Sequence, residues 1–372
     1  MEKMVASQRD KNNKRHNVTT IFNNKKVFLT GHTGFKGAWL LQILNYLGAD
    51  VKGYALAPEN DHDLYNQVNG DKLCYASVIG DIRDEHLLKG ELIRFQPDFV
   101  FHLAAQSLVR KSYEYPVDTF SVNVMGTVNV LEAMRSLDKP CIGIMITTDK
   151  VYENNETGQA FREDDKLGGY DPYSASKAAT EIAIASYRSS YFNPEKYAAH
   201  QKSIAALRAG NVIGGGDYAA DRIIPDIVRS IDRDEPVRLR NPKAVRPWQH
   251  VLEPLYAYLL LAERMTTDPV KLATGYNIGP EKTDILDVET VTQLFLKSFG
   301  KGSYTTEQSG QQPHEAGLLM LDNSRIKDTL SWSPKYNATQ AIQLTADWYA
   351  NKEQTAADKC LQQIKQYLSA AE

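Results

Sequence analysis

The chain has 372 residues, a formal charge of −3 at neutral pH and 42% hydrophobic residues. Such a length suggests roughly two domains with ample core, and the near-neutral charge argues against general affinity for nucleic acid or a membrane surface. Cys74, Cys141 and Cys360 are odd in number and, like the eight histidines, lack metal-ligand spacing, so the expectation is a reduced, cytoplasmic setting with no metal.

Taken in order, residues 1–22 are polar, carry Arg9, Lys11, Lys14 and Arg15, and lack the apolar core of a signal peptide. They read as a mobile extension. Lys26 to Thr30 reads as a strand, followed by Gly-His-Thr-Gly-Phe-Lys-Gly at 31–37 and then by Leu40, Ile43, Leu44 and Leu47 at helical spacing. Gly31, Gly34 and Gly37 on a strand-to-helix turn let backbone approach a pyrophosphate that faces the helix N-terminus. The next strand, 51–56, ends in Ala55 and Leu56 with no carboxylate until Glu59. The position that often holds the ribose hydroxyls of NAD is therefore apolar, and Lys36 in the glycine turn could tolerate a 2′-phosphate, so NAD and NADP both stay open here. Asp81 after the third strand can accept from an adenine amino group, while Asp84 caps the helix that follows.

Residues 97–102 are a further buried strand, closing with Leu103, Ala104 and Ala105, whose small side chains let a cofactor ribose pass. His102 reads as a hydrogen-bonded core residue. Gln106, Ser107 and Arg110 emerge at the same sheet edge and are candidate substrate contacts. Residues 120–134 form a long helical pattern carrying Asn123; with the helix from Pro172 it would suit a homodimer or dimer-of-dimers interface, although core packing explains the apolar positions equally well.

The apolar run 141–146 predicts a fully buried parallel strand. Thr148, Asp149 and Lys150 then stand at its end, where open α/β sheets bind ligands. Asp171 offers an N-cap and Pro172 a first helical position, which puts Tyr173 in a first turn and Lys177 on the same face. An ammonium and a helix N-terminus beside a phenol of ordinary pKa about 10 are expected to ease its ionisation. After a strand at 203–207, the loop 208–217 marks a change to a less regular half. Asn211, Arg222 and Arg246 stand on its loops, and arginines there suit a second pyrophosphate. The fold class that follows is α/β: a Rossmann-type doubly wound parallel sheet over 23–207, with a smaller mixed α/β substrate-binding domain over 208–372 from which some segments return.

With these residues assembled, the chain resembles the extended short-chain dehydrogenase/reductase family, and within it the nucleotide-sugar 4,6-dehydratases, from about Lys26 to Tyr349. The glycine turn, the Asp81 segment and the Tyr173/Lys177 pair belong to the broad family. Three stretches look specific to its CDP-glucose branch: 31–37, Thr-Thr-Asp-Lys-Val-Tyr at 147–152, and Arg-Pro-Trp-Gln-His-Val at 246–251. The resemblance implies NAD held by Gly31, Thr33, Gly34, Phe35, Lys36, Gly37, Asp81, Ile82, Leu103, Ala104, Ala105, Asn123, Tyr173 and Lys177. It implies CDP-glucose as substrate, with Asn211, Arg222 and Arg246 on the nucleotide and diphosphate.

It further implies that Thr148 sits near the sugar 4-hydroxyl, that Tyr173 takes the C4 hydroxyl proton as hydride moves to NAD, and that Asp149 protonates the departing C6 hydroxyl. Related dTDP-glucose dehydratases carry Glu where this chain has Lys150, and that Glu is the C5 base. Lys150 is thus the base, with its pKa lowered, an enolate stabiliser, or simply the ion-pair partner of Asp149. Two other readings use the same fold: a nucleotide-sugar 4-epimerase, which needs Tyr173 and Lys177 but not Asp149 and Lys150, and a dinucleotide-sensing module without chemistry.

Overall fold

Seven parallel strands carry the molecule: β1 (Lys26–Thr30), β2 (Asp50–Ala55), β3 (Ala76–Ile79), β4 (Phe99–His102), β5 (Cys141–Thr148), β6 (Lys202–Ala209) and β7 (Gly275–Ile278). Their spatial order is 7-6-5-4-1-2-3. A computed structural model describes residues 18–154, 158–282, 284–306 and 319–370. The chain winds from β1 to one side through β2 and β3, then returns and winds to the other side from β4. The reversal leaves a crevice at the carboxyl ends of β1 and β4, the usual binding position in such sheets.

Side chains alternate across the sheet, and each face is covered by helices. Val27 and Leu29 of β1 join one core with Trp39 and Leu40 of α1 (Phe35–Tyr46), while Phe28 joins a second core with Leu88 and Leu92 of α2 (Glu85–Phe95). Ile184 of α3 (Pro172–Ser190) lies in the second core, and Leu255 and Leu259 of α4 (Leu252–Met265) in the first. Burial on both faces is why β5 and β6 are buried at every residue and read as continuous runs.

Three details differ from the sequence reading. β5 and β6 are longer than predicted, because they pair over eight registers from Cys141↔Lys202 to Thr148↔Ala209. The predicted helix over 120–134 is broken by a π-helical stretch, Ser121–Met125, between Pro116–Phe120 and Gly126–Arg135. The expected extension over 1–22 ends earlier: Val18 and Phe22 are buried in the first core, where Phe22 packs on Phe99 and Phe101 of the central strand β4 after the short helix Val18–Ile21. The rest of that segment, 1–17, lies outside the described residues, as does His314. No helix among the described residues is long and apolar enough to cross a membrane.

Candidate active site

The crevice opens into a cavity of about 1650 Å³. That exceeds the range of about 300–1,000 Å³ usual for one small ligand, so it has room for two. At its floor is the glycine turn. Gly31 has φ +74°, and a Cβ on it would stand 2.8 Å from the backbone of Ala104; one on Gly37 would stand 2.0 Å from the carbonyl oxygen of Gly31. The turn therefore closes on itself only as glycine, leaving Gly34 exposed on the cavity at the start of α1. This is a cradle for a diphosphate at a helix N-terminus. Gly37→Ala is expected to cost about 1–3 kcal/mol through overpacking and to abolish dinucleotide retention, as read by calorimetric melting and by cofactor content after gel filtration.

Along the cavity wall lie Thr33, Phe35, Lys36, Asp81, Ile82, Leu103, Ala104, Ala105, Ser107 and Arg110. Arg83 grips Asp81 at 2.6–3.1 Å and also reaches Asp118 at 3.0 Å. The guanidinium holds the Asp81 carboxyl below its ordinary range. Asp84 caps α2 by accepting from the Leu87 amide at 3.0 Å. His102 is buried between the hydroxyls of Thr30 (2.7 Å) and Thr127 (2.9 Å), and burial with the Lys177 charge pushes it down to about 3, a neutral core histidine.

Lys36 lies among the other cations of the cavity. Its ammonium lies 5.9 Å from the Tyr258 ring, and burial followed by the charges of Arg222 and Lys177 lowers it to about 7. It therefore faces the reacting end of the cavity, while the β2 end is lined by Leu56, Glu59, Asn60 and Asp63.

Two candidates are not on the wall. Asn123, 1% exposed, accepts from the Gln106 amide (2.9 Å) and donates to the Gln106 carbonyl (3.0 Å) and to Ser176 (2.8 Å). Gln106 folds onto its own loop, bonding Leu108 twice and Thr119 once. Both satisfy the backbone of the irregular turn leaving β4, where sheet partners run out. Their hydrogen bonds brace the wall from behind.

The reacting end is built from β5 and α3. Asp171 accepts from the Ser174 amide at 2.9 Å and Pro172 opens the helix, as the sequence suggests. Tyr173 and Lys177 are both buried, and Ser112 accepts from the Tyr173 amide at 3.1 Å. Thr148 donates to Asp149 at 2.9 Å; Lys150 donates to Asp149 and to Asn211, each at 3.2 Å. Asp149 is 1% exposed and its Oδ2 has no hydrogen-bond partner among the described residues. A buried carboxyl oxygen without a partner is costly, and a ligand hydroxyl reaching it would remove that cost. Arg222 pairs with Asp217 at 2.8 Å and reaches Ser107 at 3.4 Å; Arg246 lines the same half.

The expected acidification of Tyr173 is not what this arrangement produces. Burial pushes the phenol up to about 12, with Thr148 hydrogen bonding pulling it down and Asp149 pushing it up. Lys177 donates to the Ile146 carbonyl at 3.2 Å, and burial lowers it to about 8 against the pull of Glu181. Helical spacing cannot register that both groups lose water.

Arg238 and Arg240, also on the cavity, were not picked out from the sequence. The alternation across the short strand Val237–Leu239, buried–exposed–buried, was the available signal.

A doubly wound sheet with a glycine cradle, a Tyr/Lys pair and a second, arginine-lined half defines an extended short-chain dehydrogenase/reductase. The family model described as GDP-mannose 4,6 dehydratase matches residues 28–345, and the chain belongs to that family. It is 44% identical over 325 residues to the CDP-glucose 4,6-dehydratase of Salmonella typhimurium, covering 87% of this chain and 90% of the relative. The UDP-glucose 4-epimerase of Thermus thermophilus, solved with NAD, superposes with a TM-score of 0.74 at 25% identity, covering 88% of this chain and 99% of that one. The dTDP-glucose 4,6-dehydratase of Streptomyces venezuelae, at 23% identity and TM-score 0.71 over 87% and 96% of the two chains, shares the fold.

Proposed function

We propose that the chain is an NAD-dependent CDP-glucose 4,6-dehydratase, yielding CDP-4-keto-6-deoxy-glucose and water. The observation that carries this reading is the Thr148–Asp149–Lys150 set beside Tyr173 and Lys177, in a chain 44% identical to a CDP-glucose 4,6-dehydratase. Bound NAD would supply the hydride acceptor at C4, the hydride donor at C6 and a positive ring near the phenol. The glycine turn, Thr33, Phe35, Asp81, Ile82, 103–105, Tyr173 and Lys177 would hold it, and Glu59 and Asp63 at the β2 end disfavour a 2′-phosphate.

Tyr173 takes the proton of the C4 hydroxyl, and the Lys177 ammonium favours the phenolate that does so. Thr148 orients that hydroxyl. The ketone at C4 acidifies C5, whose proton passes to Lys150, or to another basic group while the Lys150 ammonium stabilises the enolate. Asp149 protonates the C6 hydroxyl as it departs, and Asn211 fixes the Lys150 ammonium beside it. Arg222 and Arg246 neutralise the substrate diphosphate.

Incubating the purified chain with CDP-glucose and NAD should give a product lighter by one water and no net NADH, by mass spectrometry and absorbance. An unchanged mass with a galactose-configured sugar means an epimerase; no change with any nucleotide sugar and ready release of dinucleotide means a sensing module. Arg222→Met is expected to raise KM for CDP-glucose about 10–100-fold with kcat little changed, as for a lost charged hydrogen bond; steady-state kinetics checks it.

The proposal includes a cytoplasmic setting and self-association. Val117, Phe120, Met125 and Ile182 are exposed apolar residues on adjoining helical segments, a patch that a second copy of the chain would cover.

A further inference from the structure

A buried ion pair stands behind the reacting groups, and neither member lines the cavity. Glu181 follows Lys177 by four residues, as Lys177 follows Tyr173, so the three share one face of α3. The Glu181 carboxylate is 4% exposed and accepts from Nε and an Nη of Arg208 on β6, at 3.0 and 2.9 Å. The Thr147 hydroxyl, next in sequence to Thr148, donates to the same carboxylate. Arg208 also donates to the Tyr152 hydroxyl at 2.7 Å and to the Glu163 carbonyl at 2.8 Å. Tyr152 in turn donates to Asn277 of β7 at 2.6 Å. The ends of three strands are thus tied to the helix that carries Tyr173 and Lys177.

A buried pair of this kind is weak evidence for stability, because apolar replacements often fold as well. Its placement points to another use. Lys177 is 5% exposed and donates to the neutral Ile146 carbonyl, so burial drives it toward the uncharged form. The other titratable groups that feel its charge are Lys36 from α1 and His102 from β4. Burial takes Lys177 down to about 8, and Glu181 is the charge that opposes this.

We infer that Glu181, clamped by Arg208, is a positioning residue that keeps Lys177 cationic and fixes α3 against the end of β5. The role rests on the dehydratase reading above, in which Lys177 must be an ammonium. The test follows lysine carbons by NMR in full-length protein labelled with 13C at lysine Cε, the Lys177 signal being assigned by its loss in Lys177→Met. In the wild type that signal should titrate near 8. In Glu181→Gln it should titrate at least about one pH unit lower, the usual effect of losing a close opposite charge. The alkaline limb of kcat with CDP-glucose should move down by the same step while KM stays nearly constant, and Glu181→Asp should restore most of both.

Because the single change leaves Arg208 buried and unpaired, Glu181→Gln combined with Arg208→Met is measured beside it, and the same downward shift is expected. A Lys177 titration unchanged in both variants overturns the inference, even if turnover falls. Absence of turnover by the wild type would instead count against the dehydratase reading, and the titration would still decide whether Glu181 acts on Lys177.

Discussion

Tyr173→Phe is expected to lower turnover of CDP-glucose by about 10²–10⁴-fold, the usual contribution of a positioned acid–base group. The ring is 8% exposed and packs in place, so removing only the hydroxyl leaves its apolar contacts intact. What is lost is the group that receives the C4 proton in the proposed mechanism. Burial holds the phenol near 12, so proton removal depends on what offsets burial: the Thr148 hydrogen bond and the Arg222 charge, which both pull the phenol down. The melting temperature and dinucleotide content of the variant should stay close to the wild type. Turnover within tenfold of the wild type would mean that another group takes the proton.

The second large effect separates Asp149 from Lys150. Asp149→Asn removes the proposed proton source for the C6 hydroxyl but keeps an oxygen able to accept from Thr148 and Lys150, which reach the carboxylate at 2.9 and 3.2 Å. Loss of water should fall by about 10²-fold or more, while exchange of the C5 hydrogen with deuterated solvent continues. Lys150→Met should depress both processes together, because a group acting at C5 precedes the departure of water. Exchange followed by NMR and product followed by mass distinguish the two. Normal exchange in Lys150→Met would reduce Lys150 to the ion-pair partner of Asp149.

Much of this architecture is legible in the chain itself, for physical reasons. Strands buried on both faces are unbroken apolar runs, so 26–30 and 141–146 announce themselves, and an Asp-Pro before an amphipathic stretch marks the start of α3. The glycine turn is legible because only glycine fits where a Cβ on residue 37 would meet a carbonyl oxygen at 2.0 Å. Other features depend on neighbours distant in sequence. Gly275–Ile278 is a four-residue strand with no periodicity to reveal it, and it enters the sheet only by pairing with β6.

Gln106 and Asn123 have the polarity of ligand contacts, yet their hydrogen bonds go to each other's surroundings. Nothing local tells a brace from a binder. The burial of Tyr173 escapes the sequence for a related reason: spacing shows that Lys177 is near, but the water lost by both groups depends on the packing of β5, α3 and the loop after β4. Glu181 could have been noticed at one further helical turn, but its partner Arg208 is 27 residues away and meets it only across the sheet.

The most direct measurement uses CDP-glucose carrying deuterium at C4. If the chain oxidises C4, eliminates water across C5 and C6 and returns the same hydride to C6, the product retains the deuterium and NMR finds it on the new methyl group. Deuterium still at C4 of a sugar that has lost no water, or deuterium released into free NADH, would contradict the account.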